Sequence, residues 1–314
     1  MISFHSFLRA SSKFPRRAYR VAPQVQKALA AHGPVVALES TVIAHGLPRP
    51  RNLETAHALE ADIRALGVTP ATIALHDGHA IVGAGDVLLE RLASEDGVAK
   101  ASLRDLGPVL AARMLGATTV AATVDIAARA GVQVVATGGI GGVHRGFERS
   151  LDESADLEAI AHNPVCVVSA GAKLVLDLAL TLERLETLGV PVVGYGTDEF
   201  PAFYVRSSGL PLAHRVNDAL GAARIAKEQL ARGAGMLVAV PIPAAASLDH
   251  DEIEDEVMRA IGAAERAGVR GAELTPYLLR ALGEATGGRA LEANVALLRA
   301  NARVAAQLAL ALCA

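Results

Sequence analysis

Tryptophan is absent, and aromatic residues make up only 3% of the 314 positions. Stacking platforms for single-stranded nucleic acid therefore have little to be built from. No surplus of positive charge replaces them. The chain has 30 Lys and Arg against 33 Asp and Glu, a formal net charge of −3, so a nucleic-acid partner is not expected. Cysteine is nearly missing as well. Cys166 and Cys313 are the only two, too few for a disulfide framework or a thiolate metal cluster. Cys166 lies in the apolar run 165–168 and reads as a core thiol. No uninterrupted apolar stretch reaches the length needed to cross a bilayer, so no membrane partner is expected. Acidic residues are missing from the start of the chain, where the first is Glu39. Residues 1–21 carry Arg9, Lys13, Arg16, Arg17 and Arg20 among several serines. That is the composition of an organellar transit peptide or of a disordered extension. The alanine-rich chain that follows favours the extension and a cytoplasmic location.

Hydrophobic residues, by contrast, make up 52% of the chain, ample for a large core. From Pro23 onward apolar runs and helical patterns alternate. Gln24 to Ala31 reads as a helix ending near Gly33. Pro34 to Leu38 is a short β-rich run. Asn52 is a candidate cap for a helix with Ala56, Leu59, Ile63 and Leu66 at helical spacing. Asp77-Gly78 between two apolar runs predicts a hairpin, and Ser102 to Asp105 resembles a capping box. The runs 132–136, 165–168, 191–195 and 236–240 read as buried strands. Lys173 to Leu188, Asp251 to Ala267 and Leu291 to Leu312 read as the longest helices. Strands alternating with helices predict a three-layer α/β/α fold, and the hairpin makes its central sheet mixed. No linker composition or repeat divides residues 22–314, which are expected to form one domain.

The densest functional signal runs from Thr137 to Lys173. Residues 137–146, TGGIGGVHRG, hold five glycines in ten positions directly after a predicted strand. Such a loop lets backbone approach a ligand, and its N–H groups favour anions, with His144 and Arg145 in support. It matches neither a Walker loop nor a dinucleotide fingerprint, since His144 stands where a third glycine would be needed. A small phosphate-bearing ligand is favoured over a tight strand-to-loop connection. Asp152, Glu153, Ser154 and Asp156 offer hard oxygens suited to Mg²⁺ or Mn²⁺. The same residues also describe a solvated acidic helix start. Lys173 is expected to open a helix just past a strand. A cation there faces the positive end of the helix dipole, which disfavours its charge and suits a Schiff-base nucleophile; the alternative is a solvated surface lysine. Glu39 sits at the mouth of the 34–38 run, as a candidate general acid/base or an ordinary strand-end carboxylate bonded to Ser40 or Thr41. Lys100, in a strand-like run, is either a phosphate contact or an edge-strand lysine.

Together these pieces resemble the pseudouridine-5′-phosphate glycosidase family, also called indigoidine synthase A-like. The stretches that carry the resemblance are 37–46 (ALESTVIAHG), 70–74 (PATIA), 116–123 (GATTVAAT), 137–146, 152–157 (DESADL), 195–203 (YGTDEFPAF) and 291–294 (LEAN). The resemblance spans about residues 24–312. It implies that Lys173 is the nucleophile forming an imine with ribose C1′ after the sugar ring opens. It implies that Glu39 is the proton donor to uracil and Asp152 the Mn²⁺ ligand, with Mg²⁺ meeting the same hardness. Lys100, Val120, Ser154, Ala155 and Asp156 fall on substrate-contacting positions, and His144 and Asn294 on residues lining the site. A homotrimer acting on pseudouridine 5′-phosphate, or on uracil plus ribose 5-phosphate, is also implied. The rival readings are a lysine-imine lyase or aldolase on another sugar phosphate, a sugar kinase-like protein, and a non-catalytic phosphometabolite-binding protein.

Overall fold

The computed structural model of the chain describes residues 19–269 and 274–314. Its strands are β1 (Tyr19–Val21), β2 (Val35–Leu38), β3 (Thr69–His76), β4 (His79–Val82), β5 (Ala99–Ala101), β6 (Gly116–Thr118), β7 (Val134–Ala136), β8 (Cys166–Ser169), β9 (Val192–Tyr195), β10 (His214–Val216) and β11 (Met236–Ala239). Its helices are α1 (Pro23–Ala30), α2 (Arg51–Ala65), α3 (Asp86–Ser94), α4 (Leu106–Ala111), α5 (Val120–Ala130), α6 (Phe147–Ser150), α7 (Ala155–His162), α8 (Leu178–Thr187), α9 (Ala219–Ala231), α10 (His250–Arg266), α11 (Leu274–Ala285) and α12 (Arg289–Cys313).

The strands form one sheet in the order β1-β4-β3-β2-β7-β8-β11-β9-β10, with β6 added to β3 and β5 to β6. Neighbours run parallel from β3 through β10. The antiparallel pairs are β3 with β4 and β3 with β6, so the sheet is mixed as expected. β3 belongs to both regions, pairing through Thr69–Thr72 with β2 and through Ile73–His76 with β4. The β3–β4 turn is Asp77-Gly78, both at positive φ (49° and 77°), the geometry that matches strand twist in a two-residue hairpin. β2, β8 and β11 are buried at every position. Helices flank the sheet, which is why these strands are continuously apolar instead of alternating.

Side-chain caps fix several helix starts. Thr119, Ser154, Asp177 and Asp218 accept backbone N–H groups at the starts of α5, α7, α8 and α9. The Ser102–Asp105 capping box is formed. Three expectations need correction. The helix expected from Lys173 begins only at Leu178, because Asp177 is its cap and residues 170–177 are pinned elsewhere by backbone bonds. Asn52 does not cap α2. It lies one residue inside the helix, buried, and donates its amide to the carbonyls of Ile43 and Ala93. Tyr19–Val21, placed with the N-terminal extension, form β1, which pairs parallel with β4. The rest of that extension, residues 1–18, lies outside the described residues.

The longest helix, α12, spans 25 residues and is apolar enough by length and composition to cross a membrane. Here it packs on β2, β7 and β8 and against α2 and α9. Its Arg299 forms a two-pronged ion pair with Asp62 of α2, and its buried face is core.

The bend after β8 depends on Gly171, which sits at φ 73° with the Pro201 carbonyl oxygen only 2.0 Å from where a Cβ would be. A side chain there meets both the left-handed backbone penalty and a backbone clash. Gly171→Ala is expected to destabilise the fold by more than about 2 kcal/mol, read as a fall in the urea or thermal midpoint. A wild-type midpoint would contradict this packing.

Candidate active site

β2, β7 and β8 are adjacent and parallel, so the segments after them leave the sheet side by side at its carboxyl edge, where open α/β sheets hold ligands. Glu39 follows β2, the glycine-rich loop 137–146 follows β7, and the turn 170–173 follows β8. Backbone bonds lace the last two together: Ala170 N–H to Gly138 O (2.8 Å), Ile140 N–H to Gly171 O (3.1 Å) and Lys173 N–H to Ile140 O (3.1 Å). A cleft opens there. Glu39, Lys100, Lys173 and Asn294 all line it, beside Gly138 and Gly139. Residues far apart in sequence thus meet in one place. The carrier of Lys173 differs from the expectation: it is a loop residue ahead of α8, so the helix-dipole argument does not apply to it.

Glu39 is 9% exposed. The Thr41 hydroxyl donates to one of its carboxyl oxygens and the Thr137 hydroxyl to the other. Ser40 turns away instead and donates to the Ile73 carbonyl at 2.6 Å. Directly afterwards the backbone makes a π-helical turn over Val42–Gly46, a rare form concentrated at functional sites. That turn gives Val42, His45 and Gly46 to the cleft wall. Phe203, Leu279 and Leu298 supply the apolar lining. The close approach of Phe203 requires glycine at 139, since a Cβ there would lie 2.5 Å from its ring. Sequence reading missed Thr41, Thr137, His45, Phe203 and Leu279 as site residues. Thr41, His45, Thr137 and Phe203 all stand inside the stretches that carry the family resemblance, which was the available signal.

A second group gathers at Gly141. Asp156 is buried, and its carboxyl accepts the N–H of Ala121 at 2.8 Å and of Gly141 at 2.7 Å. It thereby joins the first turn of α5, which begins at the buried Val120, to the glycine loop and to the start of α7. Ser154 caps α7 and packs so close to Gly141 that a Cβ there would fall 2.3 Å from its hydroxyl. Val120, His144, Asp152, Ser154, Ala155 and Asp156 are not among the residues lining the cleft.

The acidic cluster divides by partner. Glu153 is paired with Arg184 at 2.7 Å, and each carboxyl oxygen of Asp156 accepts a backbone N–H. Asp152, half-buried, has no hydrogen bond or salt bridge to its carboxyl among the described residues. His144 is its neighbour: the His144 backbone N–H donates to the Asp152 backbone carbonyl at 3.0 Å. Among the described residues no group of three or more ligating side chains assembles. One open carboxylate beside an imidazole suits a hard ion that keeps most of its waters, as Mg²⁺ and Mn²⁺ do, and not a closed protein cage. Arg145, expected to reinforce anion binding, is instead held by Glu254 (2.5 and 3.0 Å) and by the carbonyls of Leu174 and Leu176. It fastens α10 to the loop that carries Lys173.

Burial lowers the His144 pKa below its ordinary 6.5; the Asp152 charge opposes this and the Lys173 charge adds to it. Between the lowered value and 6.5 the unfolded chain binds the extra proton, so this group's share of stability is whole above 6.5 and is lost as pH falls through the folded value. In a metal-free NMR titration His144 is expected to titrate below an exposed histidine, and Asp152→Asn to lower it further. A rise in that variant would contradict the charge arrangement.

The family model described as indigoidine synthase A like protein matches residues 24–311. A pseudouridine-5′-phosphate glycosidase of Herpetosiphon aurantiacus is 53% identical over 294 residues, covering 93% of this chain and 97% of that one. One of Chloroflexus aurantiacus is 52% identical over 296 residues, covering 92% and 97%. Among solved structures, the prealnumycin C-glycosynthase AlnA in complex with ribulose 5-phosphate matches with a TM-score of 0.88 at 43% identity, over 95% of this chain and 98% of that one. An indigoidine synthase A-like protein of Thermotoga maritima matches with a TM-score of 0.83 at 36% identity, over 90% and 94%. Matched from residue 24 to residue 311, and sharing about half its residues with relatives over nearly their whole length, this chain belongs to the indigoidine synthase A-like family.

Proposed function

We propose that this chain is a pseudouridine-5′-phosphate glycosidase, reversibly cleaving the carbon–carbon bond between uracil and ribose 5-phosphate. The observation that carries the reading is the meeting of Glu39 and Lys173 on one cleft wall, with Lys100 and Asn294 beside them. The names and close similarity of the relatives support the same activity.

A C-glycoside has no oxygen or nitrogen at the bond to be broken, so protonating a leaving heteroatom cannot release the base. The paired-carboxylate scheme of ordinary glycosidases is a poor fit. A lysine imine supplies the missing electron sink. The Lys173 amine adds to C1′ as the sugar ring opens: the C1′–O4′ bond breaks, O4′ leaves as a hydroxyl carrying the proton the amine sheds, and a C1′–N bond forms. Glu39 delivers a proton to uracil C5; the C1′–C5 bond breaks with its electron pair kept by the base, while the lysine nitrogen lone pair closes the C1′=N imine. Water then hydrolyses the imine, releasing ribose 5-phosphate and the free amine. Lys100 and the glycine-rich backbone would anchor the anionic end of the substrate, and Val120, Ser154, Ala155, Asp156 and His144 the parts that reach the Gly141 end of the loop. Remote anchoring of this kind helps to place the reacting carbon. The apolar wall of Val42, Phe203, Leu279 and Leu298 suits the flat base.

Asp152 would hold Mn²⁺ or Mg²⁺, which when bound supplies a fixed positive charge that orders polar groups near the sugar. A homotrimeric assembly and a cytoplasmic location complete the proposal, both resting on the family resemblance and, for location, on composition. A second reading is favoured by the likeness to a C-glycosynthase: the same cleft running toward C–C bond formation. Because the imine is common to both directions, the residues above keep their roles in it.

The test is turnover of pseudouridine 5′-phosphate, followed by uracil release. Lys173→Ala is expected to abolish it with the melting temperature unchanged; a folded, fully active variant would refute the imine. Asp152→Ala is expected to lose activation by added Mn²⁺ and most activity. A metal response equal to wild type would move the ion elsewhere.

A further inference from the structure

The carboxyl of Glu39 is not held by its own strand alone. One of its hydroxyl donors, Thr137, belongs to the first residue of the glycine-rich loop, and that residue is itself held from the far side by α12. Asn301 of α12 donates its side-chain amide to the carbonyls of Thr137 at 2.8 Å and Gly138 at 3.1 Å. We propose that Asn301 and Thr137 form a relay that positions the Glu39 carboxyl for proton transfer, a role that rests on the reading of Glu39 as the proton donor.

Asn301 is 1% exposed and does not line the cleft. Its own amide oxygen is buried without a hydrogen-bond partner among the described residues. Turning the amide over would aim that oxygen at two carbonyl oxygens, so the orientation is set by the contacts themselves. A buried, unsatisfied oxygen is a standing cost to the fold. An apolar side chain of similar size would avoid that oxygen but would leave the Thr137 carbonyl without the amide. The arrangement makes sense if that carbonyl must be fixed. Thr137 and Gly138 begin the segment that leaves β7, and the Gly138 carbonyl also accepts the Ala170 N–H. Fixing both carbonyls fixes the Thr137 backbone and therefore where its hydroxyl points. The same helix face carries Asn294 and Leu298 to the cleft wall at the spacing of successive helical turns. α12 thus sets the cleft wall and the donor behind it as one rigid piece. The second donor to Glu39, Thr41, comes from its own strand exit, so the carboxyl is gripped from both sides and its plane is fixed.

Thr137 and Asn301 are positioning residues, because neither is required to touch substrate. Thr137→Val keeps shape and removes the hydroxyl; Thr137→Ser keeps the hydroxyl. With pseudouridine 5′-phosphate as substrate, Thr137→Val is expected to lower kcat about 10- to 100-fold, short of the roughly 10²- to 10⁴-fold that a whole general acid contributes. KM should stay within about threefold, the pattern of an interaction needed in the transition state and not for binding. The pH profile of kcat should shift, and Thr137→Ser should recover most of the loss. Asn301→Leu should reproduce the kcat loss; if it fails to fold, the threonine pair decides alone. Wild-type kcat in Thr137→Val, or an equal loss in the valine and serine variants with KM rising in step, overturns the relay. Glu39→Gln separates this from the wider reading. If it is inactive while Thr137→Val is normal, only the relay fails; if it keeps wild-type kcat, the proton-donor reading fails and the relay with it.

Discussion

Everything at the candidate site depends on the parallel register of β2, β7 and β8. Parallel neighbours end at the same edge, so the carboxylate after β2, the glycine loop after β7 and the lysine after β8 leave the sheet beside one another without any long-range search. The turn after β8 then fastens to the loop after β7 through consecutive backbone bonds. Backbone is the right material for this fastening. It has no rotamers to lose, and it sets Lys173 beside the glycines of the loop on the cleft wall.

The charges around the site are sorted by what already holds them. Arg145 is spent on Glu254 and two carbonyls, and Arg184 on Glu153 and Glu158. Asp156 accepts backbone N–H groups that fix it as a bolt between α5, α7 and the loop. Arg145, Glu153 and Asp156 look in sequence like candidate ligands or anion contacts. What remains open is Asp152, beside a histidine that burial keeps toward its neutral form. A stiff frame in which structural charges are satisfied internally leaves the functional ones to the substrate.

Much of the fold was legible because its signals are local. The buried strands are continuous apolar runs, the hairpin has its Asp77-Gly78 turn, and the mixed α/β/α arrangement follows from their alternation. Glu39 was legible because a charge directly after a fully apolar strand is conspicuous; Lys173 stood out as a lysine at an expected helix start, although that helix begins only at Leu178. The start of α8 was not. Helical periodicity runs back to Lys173, but tertiary backbone bonds to the glycine loop and the Asp177 cap override it. The charged partner of Arg145, Glu254, lies on α10 far along the chain, and its carbonyl partners, Leu174 and Leu176, lie beyond the next strand; nothing near it in sequence announces them. Asn301 was invisible for a similar reason: an asparagine on the buried face of a helix carries no local meaning until its acceptors, Thr137 and Gly138, are known. β1 was missed because a three-residue edge strand has too little pattern to stand out from a basic, serine-rich stretch.

The central claim is that Lys173 forms an imine with the sugar. Its most direct measurement is incubation of the protein with ribose 5-phosphate and Mn²⁺, reduction with borohydride, and mass spectrometry with peptide mapping. The account predicts a ribose-phosphate adduct on the peptide carrying Lys173 and none in Lys173→Ala. An unmodified wild-type protein, or an adduct on a different lysine such as Lys100, would contradict it.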